Sequence, residues 1–133
     1  MQKKYEFVAH DWVLAGTRRL FRIRAVRDFG EVRRGDLGGY IESEANLCHA
    51  GDCWVHDVAQ VYGPGAVVRD NARVRGEAWV LGRVEDYAEV CDLAIVATGA
   101  CVGGYTVMRS DAIARRGPLV PRRMTATHHA ALG

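Results

Sequence analysis

From Gly51 to about residue 115 the chain repeats one six-residue phrase. Residues 51–56, 57–62, 70–75, 76–81, 86–91, 92–97 and 98–103 each put a small residue, usually Ala, in the third place and Val in the fifth. The first place is Gly or Asp, with Thr once. Two units break the count: residues 63–69 make a unit of seven and residues 82–85 a unit of four. A small residue and a β-branched residue two apart point the same way on an extended chain, and their neighbours point the other way. Gly and Asp tolerate the left-handed backbone of a tight corner. Each six is therefore predicted to be a short strand and a corner, and three such sides close a triangle of about 18 residues. Ala59, Val61, Ala72, Val74, Ala78, Val80, Ala88, Val90, Ala94, Val96, Ala100 and Val102 should point inward. A meander of antiparallel hairpins is the alternative, but it would alternate over longer strands and would not hold one six-residue phase.

The outward positions follow from the same phase. If the seven- and four-residue units each count as one side, every third unit lies on one face. One face then collects Tyr62, Trp79, Leu81, Leu93, Ile95 and Ile113 as an apolar stripe. A second shows Val67, Arg83 and Cys101, and a third Trp54, His56, Arg73, Arg75, Tyr87, Glu89, Tyr105 and Arg109. An outward apolar patch normally marks a contact surface, with aromatic residues as its energetic centres. The stripe is thus the expected interface of a homo-oligomer, a dimer or a trimer. The competing expectation is that the N-terminal hairpin or the C-terminal tail folds over it. If the four-residue unit were no side at all, Trp79 and Ile95 would fall on different faces.

Residues 1–47 do not repeat. Residues 5–9 read as a strand, and residues 20–26 alternate apolar and basic, placing Arg22 and Arg24 on a wet face. A turn at residues 15–19 should join that strand to residues 11–14 in a hairpin. A solenoid exposes raw strand edges at its ends, so residues 1–47 are expected to form an N-terminal β cap over a helix of residues 48–115. Residues 116–133, with Arg122, Arg123 and the pair His128–His129, read as a basic tail. Exposed tail histidines are not taken as metal ligands. The expected fold is all-β: a short left-handed parallel β-helix of about 3–4 triangular coils with a β-hairpin cap, one structural domain overall.

Composition adds little chemistry. A length of 133 residues suits one domain. No 18-residue apolar run spans a membrane, and no apolar segment follows the basic start, so a cytoplasmic location with four reduced cysteines is expected. Charge is uneven: residues 1–35 carry 9 basic and 4 acidic side chains, residues 36–108 carry 4 and 11, and residues 109–133 carry 5 and 1. An acidic barrel with basic ends favours end-to-side contacts between subunits, or offers the basic cap to nucleic acid.

The strings at residues 27–32 (RDFGEV), 35–42 (GDLGGYIE), 46–47 (NL) and 51–55 (GDCWV), in that order before hexads, carry a resemblance. Over roughly residues 20–108 the chain resembles the hexapeptide-repeat proteins, and among them the YdcK-type transferases of bacteria and phage. The left hand of the helix is what the resemblance implies. So are an origin in phage or prophage genomes and, from that, a host protein as partner. Acyltransferases of the wider family are trimers that use a subunit-boundary histidine as general base, with coenzyme A along the helix. A general base must sit near neutral pKa within reach of the acceptor; here the candidates are His49 and His56. The chain lacks the long loop that walls such sites.

Three other constellations carry less. Cys48, Cys53 and His56 offer zinc only three ligands at loose spacing, and structural zinc wants four; Cys53 replaces an inward Ala and packs as a small hydrophobe. The glycine-rich residues 35–39 precede neither Lys-Ser nor a helix, so they read as a turn. Arg18, Arg19, Arg22, Arg24, Arg33 and Arg34 form the candidate nucleic-acid patch, with Phe21 and Tyr40 near in sequence for stacking. The leading expectation is a non-enzymatic binding or assembly module without cofactor or metal. An acyltransferase-like enzyme is the second reading and a nucleic-acid binder the third.

Overall fold

A computed structural model describes residues 2–119, 125–126 and 131–132. The chain is a β-solenoid of about four turns, built from stacked parallel rungs on three faces. All twelve inward Ala and Val positions named above are at most 2% exposed. With Val55, Val68, Val84 and Met108 their side chains form the core of the triangle, and their small, even size lets one coil lie directly on the next.

The faces follow the predicted phase. On the Trp79 face the register runs Tyr40, Gln60, Trp79, Ile95, Ile113 and Ala131. On the Arg83 face it runs Val67, Arg83, Cys101 and Pro118. On the Arg73 face it runs Trp54, Arg73, Glu89, Val107 and Thr125. The rung step on the Trp79 face is 19 residues from Gln60 to Trp79 (79 − 60), then 16 to Ile95 (95 − 79), then 18 to Ile113 (113 − 95). The seven-residue unit lengthens one coil to 19 and the four-residue unit shortens the next to 16, and each coil keeps three sides. The four-residue unit is a genuine side, with its own strand at Arg83–Val84.

Corners explain how it turns so tightly. Asp57, Asp70, Asp86, Asp92 and Ser110 all hold φ between 56 and 60°. Each of the four aspartates also accepts a hydrogen bond from a backbone N–H one coil on: Gly76, Asp86, Gly104 and Ser110, at 2.8–3.0 Å. One residue type thus supplies both the left-handed turn and a clasp between coils.

The N-terminal segment is continuous with the solenoid. Strand β1 (Tyr5–Ala15) pairs antiparallel with β2 (Arg18–Ala25), and β2 pairs antiparallel with β3 (Leu37–Ile41). Strand β3 then pairs parallel with Gln60–Val61, so all three join the eight-stranded sheet of the Trp79 face. The parallel ladder thus starts at Tyr40, inside the segment assigned to the cap. Residues 5–9 and 11–14 are one strand, with an irregularity between Val8 and Trp12. Beyond residue 115 the ladder continues at Gly117–Leu119, Thr125–Ala126 and Ala131–Leu132, where a plain tail was expected. Residues 121–123 and the His128–His129 pair lie outside the described residues.

Two outward side chains are covered rather than exposed. Trp54 is fully buried, edge-on to Tyr5 and Phe29. Gly38 makes room for it: a Cβ there would meet Trp54 Cζ2 at 2.8 Å. Arg22, expected on a wet face, is mostly buried; its guanidinium lies over the Tyr40 ring and pairs with Asp11 at 3.1 Å.

Candidate functional site

Two of the concave features on the outward surface gather candidate chemistry. The apolar one is a groove of about 530 Å³ on the Trp79 face. Its floor is Gln60, Trp79 and Ile95, its sides are Val58, Glu77 and Leu93, and Val13 and Tyr40 close it at the hairpin end. Trp79 is 46% exposed and Leu93 58%. Ile113 continues the floor one rung below Ile95. Tyr62 and Leu81 stand half-buried at the corner beyond the strands. The repeat phase alone brings Trp79, Ile95 and Ile113 together. Val13 and Tyr40 were missed, because their place depends on how the hairpin folds back. Arg22 holds Tyr40 in that place: its Nη2 donates to the Tyr40 hydroxyl at 2.8 Å, and that hydroxyl also lies 2.9 Å from Asp11.

The second feature is a polar cleft of about 250 Å³ on the Arg73 face, lined by Glu31, Asp52, His56, Asn71, Arg73 and Tyr87. His56 is half-buried, and its Nε2 has no hydrogen-bond partner. Burial lowers its pKa, the Arg75 charge adds to that, and Glu31 opposes both. The imidazole is therefore neutral at pH 7, with Nε2 buried and unpaired. Arg75 donates to Glu31 at 2.6 Å and to Glu89 at 3.3 Å, which pins the loop of Glu31 over the cleft. Tyr87 stacks on Tyr105 one coil below, centroids 5.2 Å apart. Nothing in the spacing of Glu31 and His56 signals that they share a cleft.

His49 is engaged elsewhere. Its Nδ1 accepts from the Lys4 N–H, its Nε2 meets Glu44 at 2.7 Å, and its ring stacks on Tyr5. With both nitrogens committed, it clamps β1 to the first coil.

Four of the six arginines of the expected patch are ion-paired within the chain. Arg18 pairs with Glu42, Arg22 with Asp11, Arg24 with Glu6 and Arg33 with Asp28. Arg19 lies over the Trp12 ring. Phe21 stacks on Phe7, ring centroids 5.8 Å apart, so one face of its ring is already taken. Cys53 is buried, and no group of three His, Cys, Asp or Glu side chains is gathered for a metal among the described residues. No helix among them is long and apolar enough to cross a membrane.

The chain matches no known family profile. A stretch of 65 residues, 49% of the chain, is 37% identical to the protein named uncharacterized acetyltransferase YdcK of Escherichia coli (strain K12). That stretch covers 20% of the relative, so the chain spans about a fifth of its length. The β-solenoid and this similarity agree with the hexapeptide-repeat resemblance read from the sequence.

Proposed function

We propose that the chain is a binding and assembly module whose contact surface is the Trp79 face. One observation carries this reading: Trp79, Ile95 and Ile113 stack in register on neighbouring rungs, beside a groove whose Trp79 and Leu93 remain wet. Covering apolar surface gains about 25 cal/mol per Å², and an aromatic anchor in a preformed groove is where such contacts concentrate their energy. Light scattering of the wild type against Trp79→Glu with Ile95→Glu tests it. The wild type should be a homo-oligomer and the double variant a monomer with unchanged circular dichroism. A monomeric wild type, or assembly that survives both charges, sinks the reading.

A second reading, acetyl transfer, is favoured by the name of the relative and by the neutral His56. Acetyl-coenzyme A would supply the activated acyl group. His56 would take the proton from an acceptor hydroxyl or amine as that atom bonds the acyl carbon, the carbon–sulfur bond would break, and the proton would pass to the departing coenzyme A thiolate; Glu31 and Arg73 would orient the acceptor at the mouth of the cleft. At about 250 Å³ the cleft accommodates the reacting groups and not the coenzyme, which would have to lie along the coils outside it. Calorimetry with acetyl-coenzyme A decides. Micromolar binding with turnover lost in His56→Ala establishes the transferase, and no heat at millimolar ligand removes it.

A further inference from the structure

We propose that Lys4 and Cys53 form an oxidative modification site, in which the Lys4 amine condenses with a Cys53 sulfenic acid. The nitrogen–sulfur bond so formed ties the start of β1 to the first hexad. Neither residue lines the Trp79 groove or the His56 cleft, so the site is separate from both.

A cysteine in a solenoid core is ordinarily an inert small hydrophobe. This one has a primary amine against its sulfur. Lys4 Nζ lies 3.4 Å from Cys53 Sγ, and both side chains are fully buried. The Cys48 and Ala50 carbonyl oxygens stand 3.4 and 3.7 Å from the same sulfur, and a carbonyl oxygen is no match for an amine as a nucleophile. The backbone around Lys4 is held on both sides. Its N–H donates to His49 Nδ1 at 3.1 Å, and the Tyr5 hydroxyl donates to the Leu47 carbonyl at 2.7 Å. Closing the gap to the sulfur therefore falls to the flexible four-carbon stem of Lys4.

The amine must be neutral to attack. Burial lowers the Lys4 pKa and the Arg27 charge adds to that, while Cys53 opposes both. A closed interior also keeps a second oxidant molecule away from the sulfenic acid until the nitrogen reaches it.

Hydrogen peroxide is the co-reactant. With the segment opened, the Cys53 thiolate attacks one peroxide oxygen and the oxygen–oxygen bond breaks. The departing hydroxide takes up a proton and leaves as water; sulfur is oxidised and peroxide reduced. On closing, the Lys4 nitrogen attacks the sulfur and the sulfur–oxygen bond breaks. The hydroxyl leaves as a second water with the proton that the nitrogen gives up. Thiol, amine and one peroxide thus yield the nitrogen–sulfur bond and two waters. The nitrogen keeps one hydrogen, enough to serve one of the carbonyls of Cys53 and Gly51 that it serves now. Two equivalents of an added thiol return the thiol and the amine. The bond closes a loop between residues 49 positions apart. A loop of that length constrains the unfolded chain enough to raise the melting temperature on the order of 10 °C.

The test uses the full chain with Cys48→Ser, Cys91→Ser and Cys101→Ser, which leaves Cys53 as its single cysteine and no disulfide to form within the chain. It is treated with hydrogen peroxide, and its intact mass and peptide map are read without reductant. The chain should become lighter by two hydrogen atoms, with Lys4 and Cys53 in one cross-linked peptide. Its melting temperature should rise on the order of 10 °C, and dithiothreitol should reverse all three changes. Lys4→Arg in the same background keeps a cation for the two carbonyls but has no amine to give; it should gain oxygen at Cys53 and form no link. The map of the chain that keeps Lys4 decides the matter whether or not the arginine variant folds. Gain of two or three oxygen atoms at Cys53 without a link to Lys4 overturns the proposal. So does a link from Cys53 to another nitrogen, or one that still holds an oxygen atom between nitrogen and sulfur. An unchanged mass, after a time in which iodoacetamide labels Cys53 fully, overturns it as well.

Discussion

Gly82 and Ala100 sit on neighbouring coils with no room for a side chain between them. A Cβ on Gly82 would meet the Ala97 carbonyl oxygen at 2.6 Å and the Ala100 carbonyl oxygen closer still. Gly82 opens the four-residue side, which reaches its strand without the two corner residues that other sides use. The shortened corner is possible only because backbone can lie on backbone here. That corner in turn keeps Trp79 and Ile95 on one face.

Gly82→Ala is therefore expected to be among the most damaging single methyl additions in the chain. Both obstacles are backbone carbonyls, which cannot swing aside, so the loss should be about 3 kcal/mol. Gly16→Ala is the control: it has a left-handed φ of 64° but open space around it, and should lose only about 1 kcal/mol. Urea denaturation of the two variants compares them directly; equal losses would mean that crowding at Gly82 is not what holds the short side.

The corner aspartates separate into two contributions. Asp92 holds a φ of 60° and accepts from the Ser110 N–H at 2.8 Å. Asp92→Gly loses the hydrogen bond and relaxes the backbone; Asp92→Ala loses the bond and keeps the strain. The bond is worth about 1 kcal/mol and the left-handed strain about 1–2 kcal/mol. Asp92→Ala should thus be less stable than Asp92→Gly, the reverse of the order in a strand interior. If alanine is the better replacement, the left-handed corner is not a constraint on that residue.

How much of this could be read from the sequence depends on the range of the contacts. Val80 and Ala94 point inward, and Trp79 and Ile95 share a face, because a six-residue phase fixes orientation locally and each coil copies the last. Gly82 and the four-residue unit showed only as a missing pair of letters, and the phase still carried through them. Trp54 was read as outward, and it is outward from the solenoid. Its burial depends on Phe29, Gly38 and Tyr5 arriving from a segment without a repeat. Arg22 looked wet for the same reason: alternation within β2 says nothing about Tyr40 and Asp11 closing over it. At the candidate sites the floor of the groove was legible and its hairpin wall was not. His56 was singled out as a residue type, while the cleft around it depends on Glu31, 25 positions earlier (56 − 31).

His56 should give the fold a pH dependence of known sign. Burial holds its pKa below the ordinary 6.5, with Arg75 acting in the same direction. Between that depressed value and 6.5 the unfolded chain binds more protons than the folded one, so stability rises with pH through this window and is lost as pH falls below 6.5. Urea midpoints at pH 5 and pH 7 measure it. The wild type should be more stable at the higher pH, and His56→Gln should flatten the difference. The lowered pKa values of Glu31, Glu42 and Glu44 contribute in the same direction around and below their ordinary 4.5, which is why the His56→Gln comparison is needed. An unchanged slope in His56→Gln would assign the dependence to another group.

Lys4 ties the N-terminus to the first hexad. Its side chain is fully buried, and its ammonium donates to the carbonyls of Cys53 at 2.7 Å and Gly51 at 3.1 Å. It also lies 3.4 Å from the Cys53 sulfur and 4.6 Å from the centre of the Phe29 ring. Those two carbonyls belong to the corner that opens the first hexad, and without the lysine they face an apolar interior. Lys4→Met fills the same space but leaves both unpaired, and should cost about 3 kcal/mol. Burial also pushes the Cys53 thiol pKa up, so in the wild type this cysteine should react with iodoacetamide only when the segment opens. In Lys4→Met the opening is cheaper, and labelling of Cys53 should speed up by about two orders of magnitude if the whole 3 kcal/mol is local. Cys101 is the internal reference: it stands partly exposed on the Arg83 face, far from Lys4, and its labelling rate should not move. If Cys53 labels no faster than in the wild type while global stability falls, then Lys4 supports the fold as a whole and does not fasten the N-terminus locally.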